Sequence, residues 1–124
     1  MRAMSLAIIT LIAALHSFIA YFEMFAWETI GPKVFKGFPP EMFADTVMLA
    51  ANQGMYNAFL AAGLIWALII RDRVWQTHVA SCFLLFVIVA GCFGAYTVSV
   101  RILVVQALPA LVALVLLHVS RRGA

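Results

Sequence analysis

The chain has 124 residues, of which 66% are hydrophobic and 10% charged, and it carries a formal net charge of +3. That balance lies well outside the range of soluble globular domains and excludes a water-soluble enzyme or binding module of ordinary composition. The eight basic residues are scattered over connections and termini rather than gathered on one face, so the positive charge does not point to nucleic acid.

There is room for a single domain, residues 1–124, and four apolar stretches fill most of it, at about 3–27, 46–70, 74–97 and 102–119. A helix needs roughly 20 apolar residues to cross the hydrocarbon of a bilayer, and each stretch comes close to that length. The fold class expected is therefore all-α, a polytopic membrane protein built as a four-transmembrane-helix bundle. The first stretch follows Arg2 in the manner of a signal peptide, but it runs on to Trp27, too long for the apolar part of such a leader, and reads instead as a retained span. Gly31-Pro32 is expected to end its helix, with Trp27 as the aromatic anchor at the membrane surface.

Residues 33–44 combine Pro39-Pro40 with Phe35, Phe38, Met42 and Phe43, too broken by proline to span and too apolar for a solvated loop. They are expected to lie on the membrane surface or to fold back over the helix ends. Asp45 is placed to cap the second span, which runs to Ile70 and the charged turn Arg71-Asp72-Arg73. The third span holds Cys82 and Cys92, ten residues and so roughly 15 Å apart along a helix. They cannot bond to each other within it and read as small apolar core residues. A tight turn through Ser99 and Arg101 leads to the fourth span, where Pro109 removes a backbone hydrogen bond and is expected to kink the helix.

Small residues recur every four positions at Ala50, Gly54, Ala58 and Ala62, and again at Ala90 with Gly94 and Gly91 with Ala95. Such ridges let helices approach closely where lipid provides no hydrophobic drive for packing. No internal repeat relates the two halves. In a four-span arrangement Arg2, Arg71, Arg73, Arg121 and Arg122 fall on one side and Lys33, Lys36 and Arg101 on the other. Five against three places both termini in the cytoplasm, and the expected location is the inner cell membrane, multi-pass. The margin is small enough to leave insertion in both orientations open.

The chemistry rests on polar groups inside the apolar stretches. His16 and Glu23, seven residues apart, share a face of the first helix, and Asn52, Gln53, Tyr56 and Asn57 cluster in the second. By helical rise, Glu23 lies roughly 6 Å below Trp27, Asn52 and Gln53 roughly 10 Å inside the second span, and Gln106 roughly 6 Å inside the fourth. His16, Tyr56 and Asn57 form a deeper layer. Uncompensated polar groups cost several kcal/mol in lipid, so a coincidence of level predicts a shared polar site. Glu23 is the natural carrier of a proton or partner of a cation, with His16 as second carrier and Asn52, Gln53, Tyr56, Asn57 and Gln106 as hydrogen-bonding ligands.

Binding or transport of a small molecule or cation is the leading functional expectation. The alternatives are a small membrane enzyme acting on a lipid-soluble substrate, with His16 and Glu23 as acid and base, and a structural or accessory subunit in which the polar groups only lock the packing. No nucleophile elbow, His-Glu-x-x-His or glycine-rich phosphate loop is present to fix a reaction, so no catalytic residue is assigned. The expected partners are the bilayer, a small-molecule or cation ligand and further copies of the chain in a homo-oligomer. No cofactor, metal or nucleic acid is expected.

Leu15-His16, Glu23-Met24, Trp27, the run Asn52-Gln53-Gly54-x-Tyr56-Asn57-x-Phe59-Leu60-Ala61-Ala62-Gly63, and Gln106-x-x-Pro109-Ala110 together resemble the pattern of a bacterial family of small four-span membrane proteins classed as a domain of unknown function. The resemblance covers nearly the whole chain and implies a four-helix integral membrane protein, without an activity. A looser similarity, in size and in a single carboxylate of the first helix, is to the small multidrug resistance transporters. The other motifs of those transporters are missing, so the analogy is one of architecture.

Overall fold

The computed structural model describes residues 1–122, with backbone alone for 121 and 122; the side chains of Arg121 and Arg122, counted above toward orientation, therefore lie outside the described residues. The described chain is all-helical: α1 (Arg2–Phe25), α2 (Trp27–Val34), α3 (Met42–Asp45), α4 (Val47–Ile69), α5 (Arg73–Thr97), a π-helical turn (Leu103–Ala107) and α6 (Leu108–Arg122). Among the described residues, three helices are long and apolar enough to cross a membrane: Arg2–Phe25, Arg73–Thr97 and the combined Leu103–Ser120. With 23 residues α4 matches them in length, but Asn52, Gln53, Tyr56 and Asn57 lower the hydropathy of its first half. The expectation of four spans is thus met by three on length and composition, with the fourth helix formed but more polar.

The chain divides into two compact units, one of residues 14–61 and one of residues 1–13 with the chain from 62 onward. In the second of these, α5 packs against the π-helical turn and α6. A close approach falls at Gly91, where a Cβ would stand 2.8 Å from the backbone nitrogen of Ala107 and 3.2 Å from its Cα. Only a residue without a side chain lets the two backbones meet at that distance. The π-helical turn lies directly before Leu108-Pro109. Proline cannot donate to the carbonyl four residues earlier and clashes with it, and one wider turn relieves both problems. The expected disturbance at Pro109 is therefore present, in the form of a π turn on its N-terminal side.

The turn between α4 and α5 is closed by side chains. Asp72, read above only as part of a charged turn, caps α5 by accepting from the amides of Val74 (3.0 Å) and Trp75 (2.8 Å). The buried Gln76 turns back across it and donates through Nε2 to the carbonyls of Ala67 and Ile70, both at 3.1 Å. The first carbonyl lies in the last turn of α4 and the second one residue past its end, where the helix itself supplies no N–H donor. The Arg2 guanidinium donates to Gln76 Oε1, and Ser5 donates to the carbonyl of Ala113 at 2.8 Å, which ties the start of α1 to α5 and α6. Cys82 and Cys92 are exposed on the outward side of α5, not buried as core residues.

The unit of residues 14–61 departs from expectation at two helix ends. α1 stops at Phe25 instead of at Gly31-Pro32, and Ala26 leaves helical geometry with φ −141° and ψ 29°. Its amide closes α1 on the carbonyl of Phe22 (3.0 Å), and its carbonyl accepts the first bond of α2 from Ile30 (2.8 Å). Pro32 is then carried inside α2, on an exposed turn where the carbonyl it frees can be hydrated. Asp45 does not cap α4: it is the last residue of α3, and Thr46 stands between the two helices.

Gly91→Ala is expected to lower stability by about 1–3 kcal/mol, because the added methyl meets backbone that cannot swing aside. Gly37→Ala, where nothing lies within 4 Å, serves as control. Thermal unfolding of both variants in detergent checks the contrast, and equal melting of the two would contradict the packing described.

Candidate functional site

Residues 14–61 bring one pair of polar side chains together. α1 and α4 approach closely at Gly54, where a Cβ would stand 2.6 Å from Met24 Cγ, 3.0 Å from Glu23 Cβ and 3.1 Å from the carbonyl oxygen of Ala20. Ala20 on α1 and Ala50, one turn before Gly54 on α4, are buried as well. The missing side chain at Gly54 is what lets the carboxylate of α1 reach the face of α4. Three residues on, Asn57 Nδ2 donates to Glu23 Oε2 at 2.8 Å, with Glu23 only 7% and Asn57 only 9% exposed. The same Nδ2 makes a longer contact of 3.4 Å with the carbonyl of Gln53, which holds the amide over its own helix.

An amide donor fixed by its helix is aimed at a carboxyl group that has little water left to replace it. One carboxylate oxygen, Oε1, has no hydrogen bond among the described residues. A pair of this kind can take a further donor, a cation or a proton on that oxygen without changing the contact with Asn57.

The other sequence candidates are placed differently. His16 is fully buried on α1, two turns before Glu23 and on the same side of the helix. Asn52, Gln53 and Tyr56 are exposed, and their side chains do not join the Glu23–Asn57 pair. Tyr56 is 57% exposed and makes an edge contact with Phe59, ring centroids 6.2 Å apart. Equal depth therefore does not bring these groups together, because depth along a helix says nothing about the side of the helix a residue occupies. Gln106 stands half-buried in the π-helical turn of the other unit.

Beyond Glu23 the segment of residues 27–46 folds over Trp27. The indole stacks nearly parallel to Phe22 (6.4 Å, 8°) and contacts Phe43 (5.1 Å), Phe35 (5.7 Å) and Phe38 (6.3 Å). Phe38 meets Phe43 edge-on at 5.0 Å. Such pairs add about 0.5–1.5 kcal/mol each beyond their buried area. Gly31 makes the cluster possible, since a Cβ there would lie 2.8 Å from the Phe43 ring and 3.1 Å from that of Trp27. The indole Nε1 donates to Thr46 Oγ1 at 2.9 Å, and that hydroxyl donates in turn to the carbonyl of Met42 at 2.7 Å. A hollow of about 150 Å³ opens at the break in α1, lined by Met24, Trp27, Glu28, Thr29 and Val47 among others. Glu23 and Asn57 do not line it.

Three helices of membrane-crossing character and a carboxylate–amide pair buried between helical segments define a small helical protein of membrane type. The chain belongs to the family described as protein of unknown function (DUF1304), whose model matches residues 10–118 and so includes both Glu23 and Asn57. It is similar to the uncharacterized protein YpaA of Lactococcus lactis subsp. lactis (strain IL1403), 31% identical over 111 residues that make up 87% of this chain and 92% of that protein. No solved structure matches the chain.

Proposed function

We propose that the protein is a four-span, multi-pass protein of the inner cell membrane with both termini cytoplasmic, and that the Glu23–Asn57 pair is an intramembrane site for a proton, a cation or a small cationic molecule. The observation that carries this reading is the 2.8 Å bond between two side chains that are both more than nine-tenths buried. A carboxylate is an expensive way to hold two helices together, because an apolar pair could fill the same space without desolvating a charged group. Its presence fits a group that must at times carry charge. Glu23 is the carrier, Asn57 orients its carboxyl, and His16, fully buried on the same side of α1, is the second carrier. As the fourth span, α4 extends roughly 35 Å at the helical rise, enough to cross the hydrocarbon.

Topology is checked by labelling single cysteines with a membrane-impermeant maleimide in intact cells, in a chain whose Cys82 and Cys92 are replaced by alanine. Gly37→Cys, in the exposed connection after α2, is expected to label from outside, and Ala3→Cys only after the membrane is opened. External labelling of Ala3→Cys in most molecules would overturn the orientation.

The site is checked by Glu23→Gln and Glu23→Ala, with proton and cation flux measured in liposomes. The glutamine keeps the shape and an acceptor for Asn57 Nδ2, so the fold should persist while flux falls to the level of empty liposomes. The alanine leaves Asn57 without its partner and should also destabilise the protein by about 1–3 kcal/mol. Flux unchanged in Glu23→Gln would remove the carrier role and leave the pair as a packing device.

A further inference from the structure

The outward side of α4 differs from that of the other long helices. The large exposed side chains through the middle of α5, the π-helical turn and α6 are apolar, as Leu85, Phe86, Val89 and Phe93 or Val104, Leu108, Leu111 and Val115 illustrate, with Arg73, His78, Tyr96 and His118 exposed toward the helix ends; this suits contact with lipid tails. On α4 the exposed groups include Asn52, Gln53 and Tyr56, beside Met55 and Phe59. None of these three polar side chains has a hydrogen-bond partner among the described residues of its own chain. Of the remaining amides, Asn57 and Gln76 are buried and bonded, and Gln106 is withdrawn from the surface, half-buried in the π-helical turn.

We infer that the Asn52–Gln53–Tyr56 face of α4 is an interface on which a second copy of the chain docks in parallel. The inference rests on α4 being a span, as proposed above. An amide bears donors and an acceptor of its own, so two identical amides meeting across a two-fold axis can exchange a reciprocal pair of N–H···O bonds. No complementary sequence on a different partner has to be supposed. The orientation follows from position. Asn52 and Gln53 lie within two turns of the start of α4, so in an antiparallel pair they would face the far end of the partner helix, where Ile65 and Ile69 are apolar and the exposed Trp66 offers one N–H donor and no acceptor. In a parallel pair they face their own copies. Phe59, one turn deeper than Met55, then meets its counterpart across the same axis.

The experiment is disulfide trapping in native membranes, with Cys82 and Cys92 replaced by alanine and a single cysteine introduced at Met55, at Phe59 or, as control, at Leu85. Copper phenanthroline is expected to produce a covalent dimer from Met55→Cys or Phe59→Cys and none from Leu85→Cys. Adding Asn52→Leu with Gln53→Leu should reduce the trapped fraction at least tenfold, while the more apolar helix still inserts. Absence of a dimer at both positions would overturn the interface, as would adducts only with other proteins or trapping unaffected by the double leucine substitution. Labelling of Met55→Cys by an impermeant maleimide in intact cells separates the two levels of the argument. Complete labelling would mean that α4 is not within the membrane and would remove the four-span reading along with the dimer. Protection without trapping would leave that reading standing and remove the dimer alone.

Discussion

The constraint on which the arrangement of residues 14–61 depends is the placement of one carboxylate among apolar helices. Glu23 cannot face hydrocarbon without a partner, and the amide of Asn57 supplies one at 2.8 Å. For that bond to form, α1 and α4 must approach closely one turn away, and Gly54 is the residue that permits it. The polar contact and the small-residue contact are two aspects of one requirement. The amide selects the register of α4 against α1, and the glycine sets the distance.

The aromatic cluster follows from the same geometry. α1 must end soon after Glu23, because Trp27 turns inward to stack on Phe22 and to bond Thr46. The break at Ala26 accomplishes this within a single residue. Gly31 then admits Phe43 against the indole, and the connection between α2 and α4 becomes a packed aromatic cover rather than a free loop. The chain elsewhere uses the same economy: Gly91 admits Ala107, and Gln76 with Asp72 completes the ends of α4 and α5.

Much of this was legible before any coordinates. The apolar periods located all four long helices to within a few residues, since length and hydropathy dominate where segments are nearly all apolar. Glu23 and Asn57 stood out as polar groups in such segments. What depth alone did not reveal was azimuth. Ala50, Gly54, Asn57 and Ala61 recur at helical spacing and all are buried, whereas Asn52, Gln53 and Tyr56 in the same motif point outward. The ridge of small residues expected at Ala50, Gly54, Ala58 and Ala62 is buried only in its first half, since Ala58 is half-buried and Ala62 exposed; the buried stripe turns through Asn57 and Ala61 instead. The break at Ala26 had no local mark, because alanine is a good helix former and the cause lies in the packing of Trp27. Gln76 was equally silent: a single glutamine near a helix start does not announce that it completes the helix before it.

The central claim is that Glu23 and Asn57 are energetically coupled inside the protein. A double-mutant cycle of Glu23→Ala, Asn57→Ala and the pair, followed by equilibrium unfolding in detergent, measures that coupling directly. The account predicts a favourable interaction of about 0.6–2 kcal/mol, the range for polar contacts between membrane helices. Single-mutant effects that simply add, with no interaction left over, would contradict it.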